Sequence, residues 1–202
     1  VPLEILNDGE VTALAGSMAL GKNGVLGIAM GTSEGGGYID MDGNVTTWLS
    51  ELAFVPVDLH PEAPADEWSG DLGCGAQYFS QQAVGRLLPA SGIEYDASLK
   101  LPEQLKIVQG LMENGDERAL KIYDAIGIYL GYTLAHYAEL YDFEYVLLLG
   151  RVTTGPGGEH IIDRSKEVLA AEFPDLAKCI KFHIPDETEK RHGQAIAAAS
   201  LP

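Results

Sequence analysis

The stretch Gly24-Val25-Leu26-Gly27-Ile28-Ala29-Met30-Gly31-Thr32-Ser33-Glu34-Gly35-Gly36-Gly37-Tyr38 decides how the chain is read. Gly24–Met30 is a short apolar run bounded by glycines, which predicts a buried strand. Gly31–Gly37 holds four glycines in seven residues and predicts a loop, with a second strand starting at Tyr38. Asp42-Gly43 is a turn dipeptide, so the two strands read as parts of a hairpin. A loop of this composition has two uses. Its backbone N–H groups can converge on a ligand that no side chain could approach, with Thr32 and Ser33 adding hydroxyls. It can equally be a flexible connection. No Gly-Lys-Ser/Thr follows, so it is not a Walker A sequence.

Upstream, Leu3–Leu6 reads as a strand that ends in Asn7-Asp8-Gly9. Val11, Leu14, Ala15 and Met18 then recur at helical spacing up to Gly21. An Asp between strand and helix can cap the helix or serve as a carboxylate base at the sheet edge where α/β proteins place ligands. Downstream, residues 51–75 read as a long surface loop, and helices are predicted over Ala76–Leu88, Leu101–Met112 and Glu117–Tyr141. Gly127 and Gly131 lie one turn apart in the last of these, which points to close helix packing. Tyr145–Leu149 is a continuous apolar strand suited to burial on both faces. Arg151–Glu159 is a turn of small residues, either a plain strand-to-helix connection or a surface for a flat ligand such as a purine. A helix over Ile161–Phe173, a strand over Cys179–Ile184 and a helix over Gly193–Ser200 complete an α/β chain with a mixed sheet flanked by helices.

The 202 residues carry 13 Lys+Arg against 30 Asp+Glu, for a formal charge of −17. That balance opposes broad binding to nucleic acid or anionic membrane, although a local nest of N–H groups can still hold a phosphate. The best membrane-span candidate, Ala125–Ala138, falls short of the ~18 apolar residues a span needs. Cys74 and Cys179 form neither a CxxC pair nor a disulfide framework, and with no signal-peptide pattern a cytoplasmic location is expected. The chain opens on Val1 and runs straight into a strand. It is expected to be a piece of a longer protein.

Three segments act together: strand–Asn-Asp–helix, strand–Gly-rich–strand, and a late strand–Gly-rich–helix. Their order resembles the actin-like ATPase (ribonuclease-H-like) superfamily, and within it the ROK family of repressors, open reading frames and sugar kinases. Asn7-Asp8-Gly9-Glu10-Val11-Thr12-Ala13-Leu14-Ala15-Gly16 is similar to the family segment that holds the catalytic base. Gly31–Gly37 looks like its phosphate loop, with Ser33 in place of a glycine and Glu34 at a variable position. The tail Gly193-Gln194-Ala195-Ile196-Ala197-Ala198-Ala199 is similar to its closing helix.

The resemblance implies that residues 1–202 form the carboxy-terminal lobe of an ATP-dependent sugar kinase. Asp8 is then the general base, and Asn7 and Glu51 hold the sugar. Gly31, Thr32, Ser33, Gly35, Gly36 and Gly37 would bind phosphates, and Gly150, Thr153, Gly155 and Gly157 would line the adenosine. Mg²⁺ would arrive with ATP. A homodimer is the family expectation, and a sugar-sensing repressor lobe is the alternative. Three family features differ here. Phe54 stands where the family has a sugar-binding His, and Ala76 where it has a second Glu. Near the family's zinc loop only His60 and Cys74 are available against the about four ligands a structural zinc requires, so no zinc is expected. The amino-terminal lobe, with its Asp-x-Gly-Gly-Thr phosphate loop, is absent from these residues.

Overall fold

The computed structural model describes residues 7–46, 48, 50–185 and 197, and in these the strands form one mixed sheet in the order β2-β1-β3-β4. β1 (Val25–Met30) runs antiparallel to β2 (Glu34–Ile39) and parallel to β3 (Tyr145–Leu149), which pairs in parallel with β4 (Lys181–His183). Helix α1 (Asp8–Leu20) covers one face. Helices α2 (Gln81–Leu87), α3 (Leu101–Glu113), α4 (Glu117–Tyr137) and α5 (Pro156–Glu172) build the other side, and α6 (Pro174–Cys179) leads into β4. The strand predicted at Leu3–Leu6 and the helix predicted at Gly193–Ser200 lie outside the described residues, except for Ala197, which is helical and buried.

The two-residue period of the strands sorts their side chains between two cores. Val25 and Ile39 join Ala13 and Leu147 beneath α1. Leu26, Ile28, Met30, Val146 and Leu148 face the larger core, with Leu105 and Val108 of α3, Ile126 and Leu130 of α4, and Ile161 and Leu169 of α5. β3 therefore buries both faces, which is why its sequence is continuously apolar. Small residues let α1 sit very close to the sheet. A side chain on Gly16 would strike Leu147, and one on Gly27 would lie 3.2 Å from Ala13 Cβ.

The expected close packing at Gly127 and Gly131 is present. A Cβ on either would come within 2.7 Å of α5, at Arg164 and Val168 respectively, and Ser165 Oγ donates to the Gly127 carbonyl at 3.0 Å.

Several boundaries differ from the sequence reading, each for a tertiary reason. β2 begins at Glu34, not Tyr38, so Gly35, Gly36 and Gly37 are strand residues paired with Ala29, Ile28 and Gly27. The β1–β2 turn is thus Gly31–Ser33. Asp42-Gly43 closes a different turn, which returns Val45 to Ile39 through Asp40 Oδ1, the acceptor of the Asp42 and Asn44 amides. The helix expected over Ala76–Leu88 splits into a 3-10 turn (Gly75–Gln77) and α2, because Ser80 caps the latter by accepting from Gln82 N. α4 ends at Tyr137 instead of Tyr141. α5 starts five residues early, inside the predicted turn, with Pro156 at its first position. The strand expected from Cys179 begins only at Lys181, since α6 occupies Pro174–Cys179.

Candidate functional site

The amino end of α1 supplies the first half of the site. Asn7, not Asp8, caps the helix: its backbone is extended and its Oδ1 accepts from Gly9 N at 2.8 Å. Asp8 is the first helical residue. Its Oδ1 shares the Gly9 amide at 3.0 Å, and its side chain is exposed. The cap thus belongs to the neighbour, and the Asp8 carboxylate is left facing solvent.

Residues far apart in sequence converge here. Asn7 Nδ2 donates to Glu51 Oε1 at 3.3 Å, joining the exposed carboxylate of the 51–75 segment to the start of α1. This contact depends on glycines. A side chain on Gly9 would overlap the Gly36 carbonyl, and one on Gly37 would overlap the Gly9 carbonyl and lie 2.8 Å from Glu10 N. A Cβ on Gly36 would lie 2.5 Å from Leu52 Cγ and 2.7 Å from the Ser50 carbonyl. Gly36 and Gly37 therefore seat α1 and the Glu51 segment on β2, which corrects the reading of them as loop glycines.

The turn between β1 and β2 lies at the carboxyl end of β1. The Gly31 amide already donates to the Ser33 carbonyl at 3.0 Å, and the Gly31 carbonyl accepts from Gln81 N at 2.9 Å. Thr32 and Ser33 are exposed, and among the described residues no carbonyl accepts from their amides. The groups of this turn able to meet a phosphate are thus the amides and hydroxyls of Thr32 and Ser33. The sequence did not reveal that the Gln81 main-chain amide holds this turn, because it comes from far along the chain.

The segment after β3 is mostly committed to packing. Gly150 has φ +92°, and a side chain there would overlap the backbone of Met30. Thr153 is buried and its Oγ1 donates to the Gly150 carbonyl at 3.0 Å. Gly157 lies against the Tyr123 ring. Gly155 is exposed, with φ +74° and open space beside it. Gln109 on α3 fixes this loop by donating to the Arg151 carbonyl at 2.8 Å. A cavity of about 80 Å³ opens beside the start of α5, lined by Gln109, Glu113, Tyr123, Thr154, Gly155 and Gly157. A larger groove of about 270 Å³ runs between α1 and the carboxyl ends of β1 and β3. Thr12, Gly16, Ala29, Leu149 and His183 line it, and it does not include Asp8.

Cys74 is buried and its thiol is pushed up, chiefly by burial. His60 Nδ1 accepts from Glu62 N at 3.1 Å. Among the described residues no group of three or more His, Cys, Asp or Glu side chains is arranged to hold a metal ion. Nor, among them, is any helix long and apolar enough to cross a membrane.

No family model matches the sequence and no curated protein matches it. The fold has clear counterparts among solved structures. The chain is similar to a ROK hexokinase from Thermus thermophilus, at TM-score 0.73 and 22% identity, over 98% of this chain and 64% of that one. It is similar to a ROK family glucokinase from Streptomyces griseus solved with glucose and AMPPNP, at TM-score 0.74 and 20% identity, over 100% of this chain and 68% of that one. A ROK family transcriptional regulator, a homolog of the E. coli MLC protein, superposes at TM-score 0.77 and 19% identity, over 98% of this chain and 52% of that one. The chain has the fold of ROK proteins, an actin-like α/β fold, and spans roughly half to two-thirds of their length.

Proposed function

We propose that this chain is the carboxy-terminal lobe of a ROK-like sugar kinase, which transfers the γ-phosphoryl group of ATP to a sugar hydroxyl. The observation that carries this reading is the convergence of Asn7, Asp8 and Glu51 beside the strand that leads from the Thr32-Ser33 turn.

Asp8 accepts the proton of the attacking hydroxyl, a role for which an exposed, uncommitted carboxylate oxygen is required. Asn7 and Glu51 hold neighbouring hydroxyls. Their mutual hydrogen bond fixes both side chains before the sugar arrives. The amides and hydroxyls of Thr32 and Ser33 donate to phosphate oxygens, where negative charge shifts during transfer. The small residues near Gly155 leave backbone open to the nucleoside. Mg²⁺ bound to ATP through its phosphates and water would offset their charge. An amino-terminal lobe supplies the other wall of the cleft, so phosphorylation is assigned to the two-lobed protein and not to these residues alone.

The test is turnover by the two-lobed protein on a hexose panel, with Asp8→Asn beside the parent. Phosphorylation of at least one hexose is expected, with a fall of about 10²–10⁴-fold in the variant, the usual contribution of a positioned base. Sugar binding without transfer would favour the sensor reading instead. Parental turnover in Asp8→Asn would remove Asp8 from the mechanism.

A further inference from the structure

Within the Gly31–Gly37 segment, neither phosphate binding nor backbone packing accounts for Glu34. It is 6% exposed, and neither carboxyl oxygen meets a hydrogen-bond donor among the described residues. Its side chain leaves β2 on the large-core side and reaches the 3-10 turn at Gly75. A Cβ on Gly75 would collide with Glu34 Oε2 and lie 2.5 Å from the Leu52 carbonyl oxygen. The carboxyl group thus fills the space that the glycine leaves open, a space that the Leu52 carbonyl oxygen also borders.

Among the described residues the surroundings offer no compensating charge. From the 50–54 segment comes the Leu52 carbonyl, which accepts from Val55 N at 3.0 Å and has a second lone pair. Glu51 is exposed and engaged with Asn7. From the 73–77 segment come Gly75 and Ala76, together with the buried thiol of Cys74, whose acidic neighbours are Asp66 and Asp71. From α4 comes Tyr137, also buried, with a hydroxyl that has no hydrogen-bond partner. Its pKa is raised first by burial and then by the charge of Glu34. Burial alone drives the Glu34 carboxyl well above the usual carboxylate range. A buried carboxylate with no donor bonded to it is unfavourable, whereas a carboxylic acid has an O–H to give to an acceptor.

We propose that Glu34 carries its proton in the folded chain at neutral pH. In this form it is a positioning residue, its O–H donated to the Leu52 carbonyl and tying the Thr32-Ser33 hairpin to the segment that presents Glu51. Loss of the proton places a bare carboxylate against that carbonyl and loosens the connection. The consequence for sugar and phosphate binding rests on the kinase reading; the proton itself does not.

Above the unfolded carboxyl value of about 4.3 the folded chain holds one proton more than the unfolded chain. The folding equilibrium constant therefore falls as pH rises, by up to tenfold per unit, until the folded group itself ionises. Urea unfolding of the chain between pH 5 and 9 should show this fall, and Glu34→Gln should show a flatter curve. Infrared spectra at pH 7 should show a protonated carboxyl band that Glu34→Gln lacks. If that variant does not fold, a carboxyl titration of ¹³C-glutamate-labelled parent reads the same proton. Absence of the band, or parallel pH curves, would overturn the proposal. So would stabilisation of the parent, but not the variant, by potassium or sodium over tetramethylammonium at equal ionic strength, because the carboxylate would then be ionised on a bound cation. None of these readouts needs sugar or ATP, so a failed kinase assay leaves them standing, and the reverse holds. In the two-lobed protein, glucose affinity should weaken at alkaline pH in the parent and not in Glu34→Gln. Equal loss in both would cut the link between proton and site.

Discussion

Replacing Gly127 by Ala sets helix propensity against packing, and the structure decides the sign. Both Gly127 and Gly110 lie in helix interiors, where Ala is favoured over Gly by about 1 kcal/mol. At Gly110 nothing lies within 4 Å of the added methyl, so Gly110→Ala should keep that gain. At Gly127 the methyl would lie 2.7 Å from Arg164 Cβ and 2.9 Å from the Ile161 carbonyl. Carbon atoms rest about 3.5–4.0 Å apart, so α5 has to retreat by about 1 Å. Overpacking of this kind costs about 1–3 kcal/mol. The bond from Ser165 Oγ to the Gly127 carbonyl also stretches, although the same hydroxyl retains Ile161 O at 2.7 Å. After the gain of about 1 kcal/mol from helix propensity, the net loss should be up to about 2 kcal/mol, which for a chain of this size lowers Tm by up to roughly 8 °C. Gly110→Ala should raise it by about 1–4 °C. Thermal melts and urea titrations of the two variants beside the parent make the measurement. If Gly127→Ala is stabilised alongside Gly110→Ala, the close α4–α5 contact is wrong.

The capping assignment predicts unequal effects at adjacent residues. Asn7→Ala should lose about 1 kcal/mol of stability, and Asp8→Ala less, through the dipole contribution and its longer share of the Gly9 amide; a larger loss at Asp8 than at Asn7 by urea titration would return the cap to Asp8. Gly150→Ala combines a left-handed backbone with overlap against Met30 backbone that cannot move aside. It should lose more than about 2 kcal/mol, and a near-parental melting curve would contradict the tight β1–β3 junction.

Much of the architecture was legible because it follows from local pattern. α3 matches its predicted range within one residue, and β3 matches it outright. Both have side chains that meet the core at a period that the sequence states openly. The convergence of Asn7, Asp8 and Glu51 was legible only through family likeness, since nothing local links residues 44 apart. The Gly35–Gly37 run was misjudged because a missing side chain has two causes that look alike in sequence. Here the cause at Gly36 and Gly37 is a neighbour occupying the space, the Ser50–Leu52 segment against Gly36 and the start of α1 against Gly37. Glu34 sat inside the same run and looked like a tolerated polar loop residue. Only the Gly75 segment, forty residues later, shows that its carboxyl is enclosed. Gln81 and Gln109 act through backbone partners, so their importance leaves no trace in residue type.

The interlock of Gly9 with Gly36 and Gly37 has a consequence for anyone who recombines or grafts this lobe. The Gly36 carbonyl fills the vacant side-chain position of Gly9, and the Gly9 carbonyl fills that of Gly37, so helix start and hairpin form a matched pair. A hairpin transplanted without its helix start would arrive with a groove that nothing fills. A helix start exchanged for one bearing Ala at position 9 would dock only with a shift of the Gly36 backbone. Homologous exchanges should therefore keep residues 7–39 together as one cassette, with crossovers confined to the chain beyond the turn at Asp42-Gly43.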